Sequence, residues 1–163
     1  MMKPIRTLFH ALMLTTLATV LSNCAGAKFD RDWQAALAAR SAAPAHTKAD
    51  PISGPWQGTW LSHVNAHTGD LRCLVEPKPG TTAGQPGDYT FRYHATWGKI
   101  FQGGFDADFP VVKQGRRAYG VKGTKSLGLF GDFDHDGQIV GDTFEATYAS
   151  EMGDHGVFEM KRP

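Results

Sequence analysis

Cysteine is scarce in this chain, with only Cys24 and Cys73 among 163 residues. A small exported domain held by disulfides carries four or more, so a disulfide framework is excluded. No block of five or six basic residues occurs, and Arg116-Arg117 and Lys161-Arg162 are isolated pairs suited to solvated strand ends. Nucleic acid is therefore not an expected partner. The chain also lacks His-Glu-x-x-His, paired-cysteine zinc spacing, a Gly-x-Ser-x-Gly elbow and a glycine-rich phosphate loop. An enzyme is unsupported by motif, and no cofactor is expected. Glycine is nearly absent from the first fifty residues, since eighteen of the 19 lie after residue 50. That asymmetry divides the chain: a helix is affordable early and costly later.

What is present begins with an export signal. Lys3 and Arg6 precede Thr7–Leu21, an apolar stretch without acids. About 15 residues is short for a permanent membrane span, so residues 1–23 fit a signal peptide. Loss of Lys3 and Arg6 with it changes the balance from 17 basic and 16 acidic residues to a net charge of −1. Leu21-Ser22-Asn23-Cys24 resembles the lipobox of bacterial lipoproteins, which implies a lipid on Cys24 and attachment to a membrane through it. Ala25-Gly26-Ala27 is the alternative, a small-x-small cleavage site leaving Lys28 first. Export to the cell envelope follows either way. Ala25, where an Asp would retain the protein, resembles Gram-negative lipoproteins sent to the outer membrane, facing the periplasm.

Residues 24–50 form the lipidated N-terminus, a helix and a linker. Phe29, Trp33 and Leu37 recur every four residues in an alanine-rich stretch, placing all three on one helical face. Asp30 and Asp32 suit a helix N-terminus, and Pro44 marks the stop. So short a helix needs a surface to dock on, either the domain's own wall, a barrel mouth or a partner.

Residues 51–163 alternate in the manner of strands. Tyr89, Phe91, Tyr93, Ala95 and Trp97 fall on one face, and Thr90, Arg92, His94 and Thr96 on the other. Further strands are expected at 56–63, 71–76, 105–109, 117–123, 127–133, 144–148 and 157–160, with turns at Thr68-Gly69-Asp70, 78–87, Gly103-Gly104, Asp136-Gly137 and 153–156. About eight short antiparallel strands in a meander predict an all-β, up-and-down barrel preceded by one short α-helix. Cys73, among Leu71, Leu74 and Val75, is expected to be a buried strand residue.

Gly54-Pro55-Trp56 has the Gly-x-Trp form carried by lipocalins where the chain enters the barrel, and Gly58-Thr59-Trp60 resembles the opening strand of avidin-like proteins. The chain thus resembles the calycin group, and more broadly the uncharacterised bacterial lipoproteins. The resemblance implies a barrel whose closed end is plugged by a large aromatic residue. Independently of the resemblance, the aromatic faces of the strands offer Trp56, Trp60, Tyr89, Phe91, Tyr93, Trp97, Phe144 and Tyr148 as the lining of a lumen for a small apolar or amphipathic ligand; the same rings filling a solid core would give an envelope structural or interaction module. Asp132, Asp134 and Asp136, followed by Gly137, begin like a calcium loop, but Thr143 stands where a closing Glu is needed. A hairpin turn at Asp136-Gly137 is the competing reading.

Overall fold

The computed structural model describes residues 26–43, 50–98 and 101–163. The expected signal peptide and Cys24 lie outside these residues. A helix α1, residues 26–42, is followed by eight strands: β1 Gly54–Ser62, β2 Thr68–Pro77, β3 Gly87–Trp97, β4 Phe101–Lys113, β5 Ala118–Ser126, β6 Asp132–Val140, β7 Thr143–Ser150 and β8 His155–Lys161. Each strand pairs antiparallel with its sequence neighbour, and β1 pairs with β8, closing the barrel. No helix among the described residues is long and apolar enough to cross a membrane.

The period-two pattern decides what lies inside. Tyr89, Phe91 and Tyr93 are buried, with Phe91 ringed by Tyr93, Phe109 and Phe144 at centroid distances of 5.7–6.3 Å. Leu71, Cys73, Val75, Val111, Val121, Ile139 and Met160 fill the space between the rings. Each large side chain removed from water contributes about 2 kcal/mol. Outward positions are charged instead, as in Arg72, Arg92, Asp108, Lys122 and Asp136. An apolar interior behind a charged wall is the reverse of a membrane-spanning barrel.

The stripe on α1 docks on the barrel's own wall. Phe29 and Trp33 bury Leu74 of β2, with Ala36 and Leu37 packed beside them. Phe29 stacks on His94 at 4.9 Å, and the Arg72 guanidinium lies 5.1 Å from the Phe29 ring and 5.5 Å from that of Trp33. Asp30 binds Arg72 at 2.9 Å and Asp32 binds Arg92 at 2.7 Å, fixing the helix in register with β2 and β3. Lys28, one turn away, and then Arg92 hold the Asp32 carboxyl below its ordinary value by hydrogen bonding.

Several expected turns prove to be strand. Gly69 lies within β2, Gly103-Gly104 within β4 and Asp136-Gly137 within β6. These glycines mark close approach of chains and not reversal. A Cβ on Gly69 would lie 1.7 Å from the Thr96 carbonyl oxygen, and one on Gly104 2.3 Å from that of Tyr93. The strand expected at 127–133 is instead a 3-10 turn at Gly128–Phe130, and β6 starts only at Asp132. The β6–β7 reversal falls at Gly141-Asp142.

Candidate functional site

In a meander, alternate connections share an end, and the two ends of this barrel differ. At one end Gly54, at φ 101°, makes the sharp approach that a side chain would resist, and delivers Trp56 into the interior. Trp56 is fully buried, meets Phe144 at 5.8 Å and donates its indole N–H to the Ile52 carbonyl at 3.0 Å. Arg162 lies 3.6 Å above the indole and donates to the carbonyls of Ser53 (2.7 Å) and Asp50 (3.1 Å). Burial pushes the Arg162 guanidinium down to about 10, still charged at neutral pH. The plug implied by the calycin resemblance is present, and Arg162 seals it.

The other end is open. Trp60, Phe105, Phe133 and Phe158 are partly buried there, and Trp97 and Phe101 stack on each other in solvent with centroids 6.5 Å apart. The floor of this mouth is a closed layer of rings: Tyr93 lies 5.1 Å from Phe105 and 5.6 Å from Phe158, and Tyr148 lies 5.2 Å from Phe158. Beneath it His135 is buried, with Nε2 3.0 Å from the Tyr93 hydroxyl. Among the described residues Nδ1 meets no hydrogen-bond partner. Burial, against weaker opposing pulls from the Val121 backbone and Asp136, pushes His135 down to about 4. It is therefore neutral at pH 7, and burial raises Tyr93 and Cys73 well above their ordinary values, leaving both protonated.

The wall is also incomplete on the mouth side. β4 pairs with β5 only across Val111–Lys113 and Tyr119–Val121, whereas β3 and β4 pair along their whole length. Pro110, which has no N–H to donate, stands where the short ladder ends. Phe109 crosses this seam over Gly123, where a Cβ would come within 2.5 Å of its ring, to stack on His135 at 4.8 Å. Phe109, only 2% exposed, thus fills the gap that the short ladder leaves.

The eight candidate ligand residues divide by depth. Trp56, Tyr89, Phe91 and Phe144 are sealed in the closed half, Tyr93 and Tyr148 form the floor, and Trp60 and Trp97 reach the mouth. Phe101, Phe105, Phe133 and Phe158 were missed as site residues. Grouping alternate connections of the meander would have found them.

Asp132, Asp134 and Asp136 point outward from extended β6, about 7 Å apart in succession. No loop wraps around them, so both the calcium-loop and hairpin-turn readings fail on the backbone. Asp134 accepts from Thr124 at 2.6 Å, and Asp136 pairs with Lys122 at 2.8 Å. Asp134 and Asp136, but not Asp132, line a groove of about 610 Å³ together with His63, His135, Tyr148 and His155. Among the described residues no group of three or more His, Cys, Asp or Glu is placed to hold a metal ion. Ser62 donates to Asp154 at 2.6 Å, and Tyr148 donates to the same carboxylate at 3.3 Å. That arrangement fastens the β7–β8 connection to β1 and gives Ser62 no histidine base.

No protein-family model, curated protein or solved structure matches the chain.

Proposed function

We propose that this is an exported, lipid-anchored barrel that holds a small apolar or amphipathic molecule at its open end. The supporting observation is the set of partly exposed rings, Trp60, Phe105, Phe133 and Phe158, at one end, with the buried rings of Tyr93 and Tyr148 beneath them and the short β4–β5 ladder beside them. Aromatic surface left accessible inside a concavity favours an apolar guest, because burying it recovers about 25 cal/mol per Å². The neutral floor offers no charge for a small ion, which selects chains or rings over polar metabolites. The packed lower half favours a second reading, an envelope structural module in which the interior serves stability alone. The stripe of α1 does not serve that second reading as a partner surface, since the barrel wall already covers it.

Titration with the apolar fluorophore N-phenyl-1-naphthylamine separates the two. Binding should be saturable and weaken at least tenfold in Phe105→Ala and Trp97→Ala, with unchanged far-UV circular dichroism. Absence of saturable binding to the wild type favours the structural module.

A further inference from the structure

The four connections around the mouth are chemically alike. Val64 in β1–β2, Phe101 at the β3–β4 hairpin, Leu129 in β5–β6 and Met152 in β7–β8 are 57, 58, 97 and 71% exposed. Trp97, beside Phe101, adds a fifth exposed apolar side chain. The connections at the closed end, 78–86, 114–117 and 141–142, contain no large apolar residue, and the exposed apolar side chains beside them are the smaller Val112 and Val140, 53 and 45% exposed. An exposed apolar ring around one end of a monomer with a charged wall calls for a partner surface.

The course of α1 identifies that surface. Asp30 meets Arg72 and Phe29 meets His94, three residues before the mouth end of β3, whereas Arg40 approaches Asp142 at the closed end, at 4.0 Å. The helix therefore runs from mouth to closed end along the wall. Its first described residue, Gly26, is two positions after Cys24 and one turn before Phe29. Three helical residues cover about 4.5 Å and the two residues back to Cys24 reach at most about 7 Å, against about 10 Å for the three strand residues from His94 to Trp97. A lipid on Cys24 would thus emerge beside Trp97 and Phe101 and not at the opposite pole.

We propose that the open end of the barrel is a bilayer-docking face, with Val64, Trp97, Phe101, Leu129 and Met152 seated among the headgroups and upper acyl segments of a zwitterionic leaflet. The mouth then opens directly onto lipid. Acidic side chains outnumber basic ones near the rim among the described residues, with Asp70, Asp132 and Glu151 against Lys125. Attachment is therefore apolar and not driven by anionic lipid. This orientation rests on the Cys24 anchor of the proposed function but needs no guest in the mouth.

Nitroxide labels test it in the membrane-extracted protein, reconstituted into phosphatidylcholine vesicles. Leu129→Cys and Met152→Cys report the rim, and Arg116→Cys reports the closed end. The unsubstituted protein, labelled identically, supplies the background from Cys24 and Cys73. The rim labels should be several-fold more accessible to dissolved oxygen than to an aqueous nickel chelate, and the Arg116 label the reverse. Rim labels as open to the chelate as the Arg116 label overturn the docking. Metabolic labelling with a fatty acid, compared with Cys24→Ala, reads the anchor separately. An acylated Cys24 with a water-exposed rim refutes docking alone, whereas an unacylated Cys24 refutes the anchor and leaves the rim labels to decide docking.

Discussion

The closed and open ends of this barrel use the same residue types for opposite purposes. At the closed end the buried rings are covered on both sides: Trp56 lies between Phe144 and Arg162, and Phe91 between Phe109 and Phe144. At the open end Trp97 has Phe101 on one side and solvent around the pair. An aromatic side chain thus carries stability where its neighbours close over it and stays free to meet another surface where they do not. The difference arises in the connections, which carry no large apolar residue at one pole and Val64, Leu129 and Met152 at the other, and in the early end of the β4–β5 ladder.

If the closed half carries the stability, Phe91→Ala should be the most damaging single change. It should cost about 3–5 kcal/mol in denaturant melts, because its cavity is walled by three rings that cannot collapse. Thr90→Ala, on the outward face, should stay within about 0.5 kcal/mol. Equal midpoints for the two would erase the inside–outside distinction.

Acid should sharpen the comparison next, through His135 between the two halves. Its value in the fold, about 4, lies below the ordinary 6.5, so the fold favours the neutral ring. The stability it contributes is complete above pH 6.5, falls as pH drops toward 4 and changes no further below that. Roughly 3 kcal/mol should be lost across that window. His94, lowered by burial under Phe29 and by Arg72, works in the same direction on the helix contact. Stability measured from pH 7 to 4 should show a flattened slope in His135→Phe.

Arg162→Ala should cost about 1.5–3 kcal/mol, since it strips a charged donor from two backbone carbonyls and uncovers Trp56. Arg162→Lys should recover only part, having neither the flat face nor the fork. The smallest expected stability effect is at the mouth. Phe101→Ala should lie within about 0.5 kcal/mol of wild type while reducing probe binding. A rim substitution as costly as the Arg162 change would mean that the mouth is structural.

Much of the fold was legible because its signals are local. Four-residue spacing revealed α1 and its docking face, and the alternation at 89–97 fixed which side of β3 is inside. Gly-x-Trp placed the plug correctly. β6 was misplaced because glycine served both as a turn former and as the residue that lets barrel strands approach, and sequence alone does not separate these uses. The Arg162–Trp56 seal joins residues 106 positions apart. The pairing of α1 with Arg72, Arg92 and His94 likewise depends on a register that only the closed barrel defines. The short β4–β5 ladder was invisible for the same reason, although Pro110 within an aromatic strand was its one sequence trace.

The contrast between the two ends is tested most directly by the four tryptophans, which sample distinct places: Trp33 beneath α1, Trp56 in the plug, and Trp60 and Trp97 at the mouth. Their indole N–H resonances, followed by nitrogen-15 NMR during titration with N-phenyl-1-naphthylamine, report on all four at once. The resonances of Trp60 and Trp97 should move in a saturable way while those of Trp33 and Trp56 stay fixed. Movement of Trp56 with Trp60 and Trp97 unchanged, or no movement at any of the four, would contradict a ligand site at the open end.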